Sequence, residues 1–119
     1  MCGRMTQTTD PAEVARIFDA ESALDEDAAE AAPRYNVAPT QPLTVVLQRA
    51  EEGRLVEQHR WGLVPSFSKS LKDGARRNNA RAETVATSPS FRSSFRKRRC
   101  IVPSDGFYEW RRTGGPRQP

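Results

Sequence analysis

The stretch that most constrains this chain is Leu43-Thr44-Val45-Val46-Leu47, followed by Glu51-Glu52-Gly53 and then Arg54 to Trp61. A β-branched and leucine run, a glycine turn and a returning run predict an antiparallel hairpin. Hairpin pairing predicts an α+β chain, mostly antiparallel sheet or barrel with a few short helices. Pro33 to Pro39, bounded by prolines, predicts extended backbone, and Cys2 to Thr8, Cys100 to Pro103 and Gly106 to Trp110 predict further short strands.

Helices are few. Asp10-Pro11-Ala12-Glu13 supplies a cap, a first-turn proline and a capping-box acid, and Val14, Ile17 and Phe18 share one face, so residues 11–20 predict a helix. Glu21 to Ala32, acidic and alanine-rich, predicts a loop or weak helix. Lys72-Asp73-Gly74 predicts a turn, and Asn78 to Thr87 a strand end running into a short helix. Ser88-Pro89 predicts another helix start, with Phe91 and Phe95 as its buried face and the cations of 96–99 at its C-terminal end. A closing Thr113-Gly114-Gly115-Pro116 turn without a returning strand predicts a truncated chain.

Length and charge narrow the function. A chain of 119 residues is one domain at most. No apolar run approaches the roughly 18 residues that span a bilayer, and no charged n-region precedes an apolar core as a secretory signal requires. Two distant cysteines make neither a disulfide framework nor a zinc site, which predicts a reducing, cytoplasmic setting and no metal; a Cys2–Cys100 pair is unsupported. Residues 1–50 hold 4 basic and 8 acidic side chains, residues 51–119 hold 15 and 7. The basic second part predicts a polyanionic partner, nucleic acid by default.

Cys2 follows Met1 directly. With Met1 removed it carries an α-amine and a thiol on adjacent carbons, a 1,2-aminothiol that condenses with an aldehyde and closes a thiazolidine ring. Near pH 7.5 about a third of such an amine is neutral and ~10 % of the thiol is thiolate.

Five segments stand in order: Met1-Cys2-Gly3-Arg4, Arg34-Tyr35-Asn36-Val37-Ala38-Pro39, Trp61-Gly62-Leu63-Val64-Pro65, Asn79-Ala80-Arg81-Ala82-Glu83-Thr84 and Asp105-Gly106-Phe107-Tyr108-Glu109-Trp110. Together they resemble the SRAP family of SOS response-associated peptidases, or abasic-site processing proteins. The resemblance implies binding of abasic single-stranded DNA in the DNA-damage response, a thiazolidine crosslink through Cys2, lyase activity through the same amine and peptidase self-removal of Met1. It implies no cofactor, no membrane, a monomer, and action at the bacterial nucleoid. By matching position, Glu109 is the active-site glutamate, in proton transfer and partly desolvated by its aromatic neighbours. Asn79 positions the terminus or opened sugar. Arg4 and Arg81 grip phosphates, with Arg77 a weaker partner. Phe67 stacks on a base, and Trp61 is either a second stacking ring or core. The family pattern also carries a downstream histidine; His59 matches no catalytic motif. Residues 1–119 thus read as a partial SRAP domain: a fragment, a split subunit or a decayed copy. The alternatives are a non-catalytic single-stranded DNA-binding remnant and, third, a protease acting on other substrates.

Overall fold

The computed structural model describes residues 3–30 and 32–110. Strands β1 (Met5–Gln7), β3 (Arg34–Val37) and β7 (Gly106–Phe107) form one sheet in the order β3-β1-β7. Strands β2 (Glu21–Ser22), β4 (Pro42–Arg49), β5 (Gly53–Arg60) and β6 (Cys100–Ile101) form another in the order β2-β5-β4-β6. Helices α1 (Pro11–Phe18), α2 (Glu26–Ala29) and α3 (Arg92–Lys97), with a 3-10 helix at Leu71–Arg76, fill the connections. The architecture is α+β with mainly antiparallel pairing; β2 runs parallel to β5.

The predicted hairpin is the centre of the molecule. β4 and β5 pair without a slip from Pro42↔Arg60 to Arg49↔Gly53. A three-residue loop closes it, and Gly53 takes φ 79°, the left-handed position such loops require. Both faces are used. Leu43 and Val45 pack with Val37 of β3 and with Trp61, while Met5 of β1 leans on the same cluster. Val46 and Val56 point the other way, against Val14 of α1. Each fully buried aliphatic side chain contributes about 1.5–3 kcal/mol, so this two-sided hairpin carries most of the core.

Helix α1 forms for the predicted reason at its start. The Asp10 carboxylate accepts the Ala12 N–H at 2.7 Å, and Pro11 occupies the first turn. The capping box does not form: Glu13 pairs with Arg16 one turn on, at 2.7 Å from its Nε. The helix ends at Phe18, earlier than expected, because Asp19 turns left-handed (φ 48°) and the Ala20 N–H returns to the Ala15 carbonyl at 2.9 Å.

A buried amide bridges the two sheets. Gln7 is buried; its Nε2 donates to the carbonyls of Thr44 (2.9 Å) and Pro103 (2.7 Å), and its Oε1 accepts the Thr44 N–H at 3.0 Å. A second close approach lies behind the hairpin. A Cβ on Gly62, which has φ 115°, would sit 2.3 Å from the Gly74 carbonyl oxygen. Only glycine lets these two backbones touch.

Several predicted elements change. Residues 21–32 split into β2 and the short α2, capped by Asp25 at 2.8 Å from the Ala28 N–H. Residues 82–87 are turns, with neither strand nor helix. Helix α3 starts at Arg92, three residues after Pro89, and Phe95 remains 40 % exposed, so Phe91 and Phe95 do not form a buried face among the described residues. The last strand stops at Phe107. The closing turn at 113–116 lies outside the described residues.

Candidate functional site

The β1–β7 pairing positions the first candidates. Its register is Met5↔Phe107 and Thr6↔Gly106, and the Tyr108 N–H continues it by donating to the Arg4 carbonyl at 3.0 Å. The pairing is pinned at its far end by Asp105, whose Oδ2 accepts the N–H groups of Thr8 (2.6 Å) and Thr9 (3.1 Å) while Oδ1 accepts the Thr9 hydroxyl. The Thr9 hydroxyl first, and then the Thr8 backbone bond, lower the Asp105 pKa to about 2. At the near end the Tyr108 hydroxyl donates to the Tyr35 carbonyl at 2.9 Å, and Arg4 donates through Nη1 to Asn36 Oδ1 at 2.8 Å. Arg4, Tyr35, Asn36 and Tyr108 thus form one linked group, and Glu109 follows it directly. Glu109 is exposed; the desolvating aromatic setting expected for it is not formed by the described residues.

Trp61 positions the second group. Its backbone bonds Thr40 and Gln41 at 2.8 and 2.9 Å, tying it to the β3–β4 connection. Its indole N–H donates to the Asn78 carbonyl at 3.2 Å, and the Leu63 N–H reaches the Arg77 carbonyl at 3.1 Å. The segment carrying Asn79 is laid along the Trp61–Leu63 backbone in this way, and Asn79 itself is half-buried. Of the two readings of Trp61, core is the correct one: at 8 % exposure its ring has no face to offer a base.

The remaining candidates separate. Phe67 is 62 % exposed on the turn Pro65–Ser68, which is closed by the Ser68 N–H to the Pro65 carbonyl at 3.0 Å and held by a Ser68 hydroxyl bond to Asp73. Arg81 is exposed. Arg77 is tied down: its Nε donates to Ser90 Oγ at 3.2 Å and its Nη1 to the Asp73 carbonyl at 2.7 Å, so its guanidinium fastens the 3-10 helix to residue 90. Those bonds account for it structurally and weaken it as a phosphate ligand. Cys2, the proposed nucleophile, lies outside the described residues. Cys100 is exposed on β6 with its thiol pushed up by partial burial, the reverse of an activated thiol. His59 is exposed on β5 and bonded to Glu57 at 2.7 Å. Among the described residues no group of three or more His, Cys, Asp or Glu side chains gathers as a metal site, and no helix is long and apolar enough to cross a membrane.

Sequence reasoning gave no role to Asn36, Tyr108 or Asp105, which set the position of Arg4 and of the strand leading to Glu109. All three lie in the five ordered segments, so the signal was present without its meaning.

These groupings gather residues from all five segments around one core, and the chain belongs to the SOS response associated peptidase (SRAP) family, which matches residues 1–119. It is 41 % identical over 112 residues to the abasic site processing protein YoqW of Bacillus subtilis, covering 94 % of this chain and 49 % of YoqW. The chicken abasic site processing protein HMCES is 36 % identical over 98 residues, covering 73 % of this chain and 29 % of HMCES. A crystal structure of a protein from Bacteroides thetaiotaomicron superposes with a TM-score of 0.80 at 28 % identity, over 98 % of this chain and 51 % of that one. The chain spans about half the length of its Bacillus relatives.

Proposed function

We propose that this chain processes abasic sites in single-stranded DNA by forming a thiazolidine crosslink through Cys2 once Met1 is removed. The observation that carries the reading is the β1–β7 register. Thr6↔Gly106, Met5↔Phe107 and the Arg4–Tyr108 bond advance one residue at a time, and the next residues along the two segments are Gly3 and Glu109. Cys2 is one peptide from Gly3, about 3.8 Å between Cα atoms. The register thus supports a role for the Glu109 carboxylate in the chemistry of the chain end that carries the aminothiol.

The chemistry balances without a cofactor. The Cys2 amine attacks the aldehyde carbon of the ring-opened sugar, and loss of one water leaves a Schiff base. The thiol sulfur then bonds to the same carbon, and its proton passes to the nitrogen. In this reading Glu109 relays the protons of both steps. From the Schiff base, loss of the adjacent sugar proton and departure of the 3′ phosphate is the lyase branch. Asn79 holds the opened sugar by hydrogen bonds. Arg4 and Arg81 contact flanking phosphates, and Phe67 stacks on a neighbouring base. The relatives named as abasic site processing proteins, and the family's peptidase name, with Met1 as the bond to be removed, support this reading. It places the chain in the cytoplasm at damaged DNA, acting as a monomer.

A second reading is a DNA-binding remnant without chemistry, favoured by the exposure of Glu109, where proton transfer expects a desolvated carboxyl. An oligonucleotide with one abasic site, run on a denaturing gel after incubation, separates the two. Crosslinking predicts a shifted band lost in Cys2→Ser; the remnant predicts no band with salt-sensitive binding retained.

A further inference from the structure

A groove of about 710 Å³ lies on the β2-β5-β4-β6 sheet, and no residue of β1, β3 or β7, nor Arg4 or Glu109, lines it. Its floor is apolar, with Val46 of β4 and Ile101 of β6. Its cations are Arg54 on β5 and, from the end of α3 and the residues leading into β6, Arg96, Lys97 and Arg99. No acidic residue lines it. Two of the cations are pre-positioned, Arg54 by a 2.9 Å bond from Nη1 to the Phe18 carbonyl and Arg99 by lying 5.7 Å from the Phe95 ring centroid. Arg96 and Lys97 are exposed and have no acidic partner among the described residues.

We propose that this groove is a second track for a nucleic-acid strand, separate from the aldehyde-reacting end. The inference rests on the DNA-processing reading above. Four like charges around one groove repel one another until a polyanion neutralises them. An apolar protein segment laid over the groove would instead bury cations without partners, at a cost of several kcal/mol per ion. A phosphodiester backbone meets both needs: its phosphates reach the cations on the rim while sugar edges lie on the Val46–Ile101 floor. The track lets one molecule hold a strand both at a lesion and at a distance from it.

The test is the salt dependence of binding to a fluorescent, undamaged oligonucleotide with a duplex–single-strand junction, so that no crosslink contributes. Arg96→Ala/Lys97→Ala removes two phosphate contacts, and the slope of log K against log salt should become shallower by about 1.5. The charge-preserving pair Arg96→Lys/Lys97→Arg should keep the wild-type slope. Equal slopes for the alanine pair and wild type overturn the proposal. So does displacement of the oligonucleotide by poly-glutamate at matched charge, which would mark the groove as an acidic-peptide site. The two readings fail separately. Salt-sensitive binding that depends on residues 96 and 97 without any abasic crosslink removes the Cys2 chemistry and leaves the groove. Crosslinking with unchanged slopes does the reverse.

Discussion

The β4–β5 hairpin and the β1–β7 pair are built on opposite principles. The hairpin is long, buries apolar residues on both faces and closes through a short local loop. The β1–β7 pair joins strands about a hundred residues apart through two register positions, and its neighbours Tyr35 and Phe107 are each 66 % exposed. What it lacks in packing it makes up in polar bonds: Asp105 on Thr8 and Thr9, Gln7 across to the hairpin, Tyr108 on Tyr35. Scaffold stability is therefore hydrophobic and local, whereas the strand leading to Glu109 is held by hydrogen bonds that solvent and pH can reach.

The largest effects should appear where the hairpin is damaged. Val45→Ala empties a nearly fully buried site and should cost about 2–3 kcal/mol, read from urea unfolding as a lower midpoint with unchanged m. Phe107→Ala on the other sheet should cost under about 0.5 kcal/mol. Equal losses would break the contrast.

Gln7→Leu comes next. It leaves the Thr44 N–H and carbonyl and the Pro103 carbonyl without their partner, at a cost of about 2 kcal/mol. Hydrogen exchange should show faster exchange in β1 and β7 than in β4 and β5; uniform acceleration would mean that the amide supports the whole fold and not the junction.

A smaller and more selective effect is expected from acid. The folded Asp105 carboxyl, at about 2, lies below its ordinary 3.8. Its stabilisation is thus complete above about pH 4 and is lost as pH falls toward 2. Exchange at the Thr8 and Thr9 amides should accelerate across that window in the wild type. In Asp105→Asn those amides should exchange faster at neutral pH and lose this step. A step that survives in the asparagine variant would assign it to another carboxyl.

The hairpin and α1 were legible in sequence because their signals are local: alternating apolar residues, Gly53 at the loop, Asp10 and Pro11 at a helix start. The Phe91–Phe95 spacing misled because i, i+4 aromatics describe a helix face without saying whether anything covers it. Gln7 was illegible, since a glutamine in a three-residue strand gives no sign that it will be buried between sheets. Trp61 was ambiguous for a related reason: a strand-end indole serves core and ligand alike, and only the Val37–Leu43–Val45 cluster decides. The site was legible as five ordered segments and not as geometry, because the register joining residues 4 and 108 depends on the intervening hundred residues.

The central claim is that Cys2, freed of Met1, reacts as an aminothiol with Glu109 relaying its protons. Intact mass spectrometry of the chain after reaction with an abasic oligonucleotide tests it most directly. The account predicts one unreduced, heat-stable adduct, equal to the chain without Met1 plus the oligonucleotide minus one water, formed more slowly by Glu109→Gln and absent in Cys2→Ser. An adduct that retains Met1, or one that persists in Cys2→Ser, would contradict it.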